Sequence, residues 1–168
     1  MKKSKRIALD GILTAVALVI FAVEQLIPLP FPVPGVKLGL SNIVTLFAVF
    51  AIGPIDGGII LLVRIALGSI FGGQLTSFLY SLAGGALCYG VTLLLRLVIN
   101  EKQIFVCGVF GAIAHNVGQI LVAVLLTGTP SVLSYLPVLV AFGIGTGLIT
   151  GLVAQTLVLR LKKKGKDR

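Results

Sequence analysis

The sequence predicts an all-α fold: a polytopic membrane bundle of six transmembrane helices in one integral membrane domain spanning 1–168. Hydrophobic residues make up 57% of the chain and charged residues 11%, with a mean hydropathy of +1.13. A soluble domain of this size could not hide that much apolar surface. The apolar runs are long and unbroken, which excludes the alternating pattern of a transmembrane barrel. Twenty-one glycines and seven prolines suit closely packed helices separated by short breaks.

A first helix is expected over 7–27, stopped by Pro28. Basic residues followed by an apolar stretch resemble a secretory signal. The stretch is too long for one and no small-residue cleavage site follows, so a retained helix is expected. The second helix is placed at 38–53, ending at Gly53-Pro54, and the third at 55–71, ending at Gly72-Gly73. Both are short for a span of about 20 residues. They admit a tilted, broken or re-entrant course where backbone faces protein or water. Helices at 75–99, 104–127 and 132–161 complete the bundle.

The net charge of +9 is a topology signal, not a nucleic-acid footprint, because the cations lie at the chain ends. Lys2, Lys3, Lys5 and Arg6 precede the first helix, and Arg160, Lys162, Lys163, Lys164, Lys166 and Arg168 end the last. With six spans these fall on one side, joined by Arg96 and Lys102, and only Lys37 lies on the other. Both termini are therefore expected to be cytoplasmic, in a plasma membrane, with the basic tails against anionic headgroups. No nucleic-acid partner is expected. Cys88 and Cys107 read as small buried hydrophobes.

Alternate prolines at 28, 30, 32 and 34 predict an extended apolar connection after the first helix. It serves either as a rigid connector or as a lid over an outward pocket. Ser41-Asn42 offers cap chemistry for the second helix.

Arg64 stands near the middle of an apolar span. A charge there costs about 2.5–3.5 kcal/mol on insertion scales, so it faces protein or a wet cavity. Two readings stay open. Arg64 pairs with Glu24 and fixes two helices, or it receives a carboxylate or phosphate on a solute, assisted by Lys37. His115 and Gln119 share a helix face, with Asn116 beside them and Gly108 and Gly111 inward. The histidine is either a structural hydrogen-bonder or a ligand contact. With Glu24, Asn42 and Thr45, these polar groups concentrate in the outer half, as in a cavity that captures a solute from outside. Candidate substrate-binding residues are thus Arg64, His115, Asn116, Gln119, Glu24, Lys37 and Asn42. No metal site is expected, because there is one histidine and no ligating cysteine pair. Gly143, Gly147 and Gly151 recur at intervals of four, which suits helix packing. Ala8, Gly11 and Ala15 form a second small-residue stripe that packs internally or docks a partner subunit.

Pro34-Gly-Val-Lys37-Leu-Gly39-Leu-Ser41-Asn42, Ala114-His115-Asn116-Val-Gly118-Gln119 and the stripe in the first helix resemble the Gx transporter family, also named heptaprenyl diphosphate synthase component I. That family is similar to the substrate-binding S components of energy-coupling factor (ECF) vitamin transporters. The resemblance covers about 7–160 and implies an S-component-like bundle that captures a small anionic or amphiphilic solute. A separate energy-coupling transmembrane subunit and its ATPases would power uptake. S components dock through an Ala-x-x-x-Ala motif, matched here by Gly11-x-x-x-Ala15 with Ala8 one turn earlier. The resemblance also brings flavin, vitamin-like and isoprenoid compounds as ligand classes. It admits a second role, as a membrane accessory of isoprenoid or quinone synthesis or of flavin-linked electron transfer.

The chain itself carries no cofactor motif and no ATP-binding loop. Asp10, Asp56 and Asp167 are unclustered, so no Asp-rich magnesium–diphosphate motif exists and no catalytic residue is expected.

Overall fold

The computed structural model describes residues 3–27, 37–72 and 75–166. The proline-rich connection at 28–36, read as a lid or a connector, lies outside the described residues. Among those described, all regular structure is helical: α1 (Lys3–Glu24), α2 (Asn42–Ala51), α3 (Pro54–Gly72), α4 (Leu75–Arg96), α5 (Ile104–Thr127) and α6 (Leu136–Lys166). Short 3-10 turns at Glu101–Gln103 and Pro130–Tyr135 lead into α5 and α6.

Five of these helices are long and apolar enough to cross a membrane. Their outward faces are apolar too, with Val19, Ile70, Phe71, Leu94, Leu125 and Ile149 exposed, as a multi-pass membrane protein requires. The sixth, α2, corrects the expected 38–53 span. It has ten residues, roughly 15 Å of helix against about 30 Å of hydrocarbon. Its late start follows from Gly39, held at φ +75°, a left-handed conformation that ends any helical run from Lys37. Ser41 occupies the cap position but makes no side-chain cap bond, and the Asn42 side chain is engaged elsewhere. The compensation for a short helix is enclosure: Val44, Thr45, Leu46, Ala48 and Val49 are all buried. Packed among α1, α3 and α6, α2 contributes to two of the bundle's core clusters.

Glycines set how closely the helices approach. A Cβ on Gly108 would lie 2.3 Å from the Gly147 carbonyl oxygen, and one on Gly151 would lie 2.7 Å from Phe105 Cα. The α5–α6 seam is therefore backbone against backbone. The same holds for α4 and α5, where a Cβ on Gly118 would lie 2.7 Å from the Ala83 carbonyl oxygen. At one end of α1 the Arg6 guanidinium grips Asp56, in the first turn of α3, with two bonds of 2.5 Å. Arg6 and Asp56 are fifty residues apart, and no local pattern announces their pairing.

Candidate functional site

The polar residues of five elements converge on the middle of the bundle. Gly39 leaves only slot-width space there: a Cβ would meet Asn42 Nδ2 at 3.0 Å and the His115 ring at 3.0 Å. On the opposite side Gly84 of α4 faces the same ring, where a Cβ would sit 2.7 Å from Nδ1. His115 is thus clamped between two positions that admit no side chain.

Hydrogen bonds then run through the cluster. Arg64 Nη2 donates to Asn42 Oδ1 at 3.1 Å, and Asn42 Nδ2 lies 3.1 Å from His115 Nδ1. Because the Asn42 amide must present its oxygen to arginine, its NH₂ donates to Nδ1. A neutral His115 therefore carries its proton on Nε2. The Lys37 backbone N–H donates to Gln119 Oε1 at 3.2 Å, and the Gly39 N–H donates to Glu24 Oε1 at 2.5 Å. Lys37 Nζ donates to Ser77 Oγ at 2.5 Å and stands 4.0 Å from the centre of the Phe21 ring. The Arg64 guanidinium shares that ring at 5.9 Å.

The cluster is packed, which differs from the open polar cavity expected. Gln119 is 0%, Arg64 2%, His115 3%, Glu24 5%, Lys37 7% and Asn42 9% exposed. The void beneath Asn42, walled by Thr45, Thr92, Thr146 and Thr150, has about 20 Å³, room for one water. Asn116 points away from the others. Its Nδ2 donates to the Leu139 carbonyl at 2.6 Å and ties α5 to α6.

Electrostatically the cluster is unbalanced. It holds Arg64 and Lys37 against the single carboxylate of Glu24. Among the described residues neither cation reaches Glu24 within 4 Å, since the ion pairs are Arg6–Asp56 and Lys162–Glu101. The expected Arg64–Glu24 pair is replaced by Arg64–Asn42 and Glu24–Gly39 contacts. Arg64 Nε, His115 Nε2 and Gln119 Nε2, all three donors, have no partner among the described residues; the acceptor Glu24 Oε2 is also unpartnered. Burial pushes the Lys37 ammonium down to about 8, with Glu24 opposing the fall and Arg64 adding to it.

Phe21 and Ser77 were missed as site residues by sequence reasoning. Phe21 stands three residues before Glu24 on α1, a spacing that places both on one side. Ser77 is a polar residue in the first turn of α4, in the half of the bundle where the other polar groups gather. Both also line a cavity of about 530 Å³ between α1, α3 and the start of α4. Among the described residues no group of three or more His, Cys, Asp or Glu side chains is placed to hold a metal. Ala8, Gly11 and Ala15 all lie on the exposed face of α1, and a Cβ on Gly11 would meet nothing within 4 Å.

A family model described as heptaprenyl diphosphate synthase component I matches residues 13–157. Among solved structures, the S component of a bacterial ECF transporter is similar at a TM-score of 0.54 and 22% identity. The match covers 99% of this chain and 98% of that one, so the two share a fold. No curated protein matches the chain.

Proposed function

The chain belongs to the heptaprenyl diphosphate synthase component I family, and we propose that it is a membrane solute-binding component rather than an enzyme. It captures a small anionic or amphiphilic solute and hands it to a separate energy-coupling subunit driven by ATPases. One observation carries this reading: two buried cations face one carboxylate without an ion pair, beside three unpartnered donors. Buried charge is costly unless matched, and an anion would supply the missing charge and acceptors. Arg64 and Lys37 would take the anionic group, and His115 and Gln119 would donate to it. Asn42 would hold Arg64 in place and Glu24 the backbone at Gly39, with Asn116 bracing the His115 face of α5 from behind.

The S-component fold supports the same reading, and so does the exposed Ala8–Gly11–Ala15 stripe, whose small side chains suit close docking of a partner helix. The basic ends of the chain favour a topology with both termini cytoplasmic. A non-enzymatic role is in keeping with the placement of Asp10 and Asp56, which sit with Arg6 and are engaged there.

Native mass spectrometry of protein purified in mild detergent tests the reading. The wild type is expected to retain one small molecule per chain, Arg64→Lys less of it, and Arg64→Ala none, with the helical content of both variants unchanged. Uptake by cells should vanish with Gly11→Leu plus Ala15→Leu while the retained molecule stays. A wild-type chain that carries a second polypeptide and no small molecule would favour the accessory role instead.

A further inference from the structure

The 530 Å³ cavity differs in character from the polar cluster behind it. Leu18, Phe21 and Ala22 of α1 and Gly68 and Phe71 of α3 make its walls mainly apolar, with Gln25 and Ser77 the polar exceptions. It also opens sideways. α1 packs on α3 and α2, and the cavity separates it from the start of α4. Phe71 is 79% and Val19 64% exposed beside it, on the face the bundle turns to lipid. At its inner wall the chemistry changes. Phe21 and Ser77 line the cavity, and the same two residues hold the Lys37 ammonium, at 4.0 Å and 2.5 Å. The ammonium has three N–H donors, one spent on Ser77 and one directed at the ring. Lys37 therefore places a charged anchor directly behind the wall that Phe21 and Ser77 form in this apolar slot.

We infer that this cavity binds a single-chain amphiphile with a compact anionic head, a carboxylate or a phosphate, which enters laterally from the membrane. The head meets Lys37 and Ser77, and the chain lies along Phe21, Ala22 and Phe71. Three features favour this class over others. A water-soluble anion would leave the apolar walls unused. A neutral lipid would leave the buried ammonium unmatched. A two-chain phospholipid exceeds what a slot of about 530 Å³ encloses, since sites of 300–1,000 Å³ typically enclose one drug-sized ligand. The inference rests on the solute-binding reading above and names the solute's class and route. Lys37 is the joint between the two regions, because its backbone N–H is bound to Gln119 while its ammonium is held by Phe21 and Ser77, which line the cavity.

The chain contains no tryptophan, so one substitution gives a site-specific fluorescent reporter. Phe71→Trp places it on the cavity wall, and Leu125→Trp, at an 81% exposed position on α5, serves as a lipid-facing control. Both proteins are reconstituted in phosphatidylcholine nanodiscs and titrated with 12-bromododecanoic acid, whose bromine quenches indole on contact. Saturable quenching at one ligand per chain is expected for the Phe71→Trp reporter, with only a linear response for the control. Adding Lys37→Gln should weaken the saturable phase at least tenfold, as should replacing the acid by 12-bromododecanol. Lys37→Arg should restore most of it. Ala22→Phe, which narrows the slot without touching the polar cluster, should remove it and so guards against misfolding of the lysine variant. Linear quenching of both reporters, or a saturable phase indifferent to Lys37→Gln in a folded protein, would overturn the inference. Saturable occupation by brominated phosphatidylglycerol in place of the acid would also overturn it. If the reporter stays silent while the Arg64-dependent small molecule is retained, this inference fails alone. If neither appears, the solute-binding reading fails as well.

Discussion

Asn42→Ala is the sharpest test of how the buried cluster is held. Among the described residues Asn42 is the one hydrogen-bond partner of Arg64 and is also the partner of His115 Nδ1, both at 3.1 Å. Losing the neutral Asn42–His115 bond costs about 0.6 kcal/mol, the average for interhelical bonds in membranes, where the unfolded state also finds partners. Losing a bond to a charged donor costs about 1.5–3 kcal/mol. The guanidinium, 2% exposed, is then left without its acceptor, which pushes the charged term to the upper end. The sum is about 2–4 kcal/mol. The alanine also widens the void beneath Asn42, and a water admitted there would bring the loss to the lower bound. The measurement is reversible unfolding in mixed micelles titrated with dodecyl sulfate, read by helical circular dichroism. A double-mutant cycle with Arg64→Met isolates the charged term. In that background the cost of Asn42→Ala should fall to about 1 kcal/mol or less. A loss below about 1 kcal/mol in the wild-type background, or an unchanged loss in the Arg64→Met background, would refute the claim that Asn42 anchors the arginine.

Two further outcomes follow from the geometry. Gly108→Ala should separate α5 from α6 and sharply reduce folded yield, because its Cβ would lie 2.3 Å from the Gly147 carbonyl oxygen; Gly145→Ala, with nothing within 4 Å, should be tolerated, as thermal melts in detergent would show. Affinity for 12-bromododecanoic acid, read on the Phe71→Trp reporter in the range where the acid is ionised, should fall as pH rises through about 8 toward 9.5. The Lys37 ammonium, held down to about 8 by burial among Phe21 and Glu24 of α1, Arg64 of α3, Ser77 of α4 and Gln119 of α5, is charged below that value and neutral above it. Lys37→Arg should abolish the fall, and a fall that persists in that variant would remove lysine as its source.

Composition was enough to announce a helical membrane bundle, because apolar content and run length leave no alternative that satisfies the backbone in lipid. The six helices were legible in order, with boundaries shifted by a few residues. The main exception is α2. Its apolar pattern reads through Leu38–Leu40, but a positive φ at Gly39 is a backbone state that hydropathy does not encode. Asn42 was legible as polar and as a candidate. Its bonds to Arg64 and His115 were not, and its position at the helix start suggested a cap instead. Asn116 shows the converse. Adjacent to His115 in sequence, it leaves the helix about 100° further round and reaches Leu139.

What the sequence determined by itself was the solvent and the inventory. A chain this apolar must lie in a membrane, and Arg64, Lys37, Glu24, His115 and Gln119 cannot face its lipid, because each would forfeit hydration there without recompense. Tertiary structure alone decided how those residues share one another. Pairing depends on which helices touch and on how closely glycines let them approach, and those distances join residues 15 to 82 positions apart. Only in three dimensions does the Arg64–Glu24 pair give way to Arg64–Asn42 and Glu24–Gly39, and Lys37 turn toward Phe21 and Ser77. That arrangement leaves both buried cations without an ion pair, because the packing holds the carboxylate on a backbone N–H more than 4 Å from either of them.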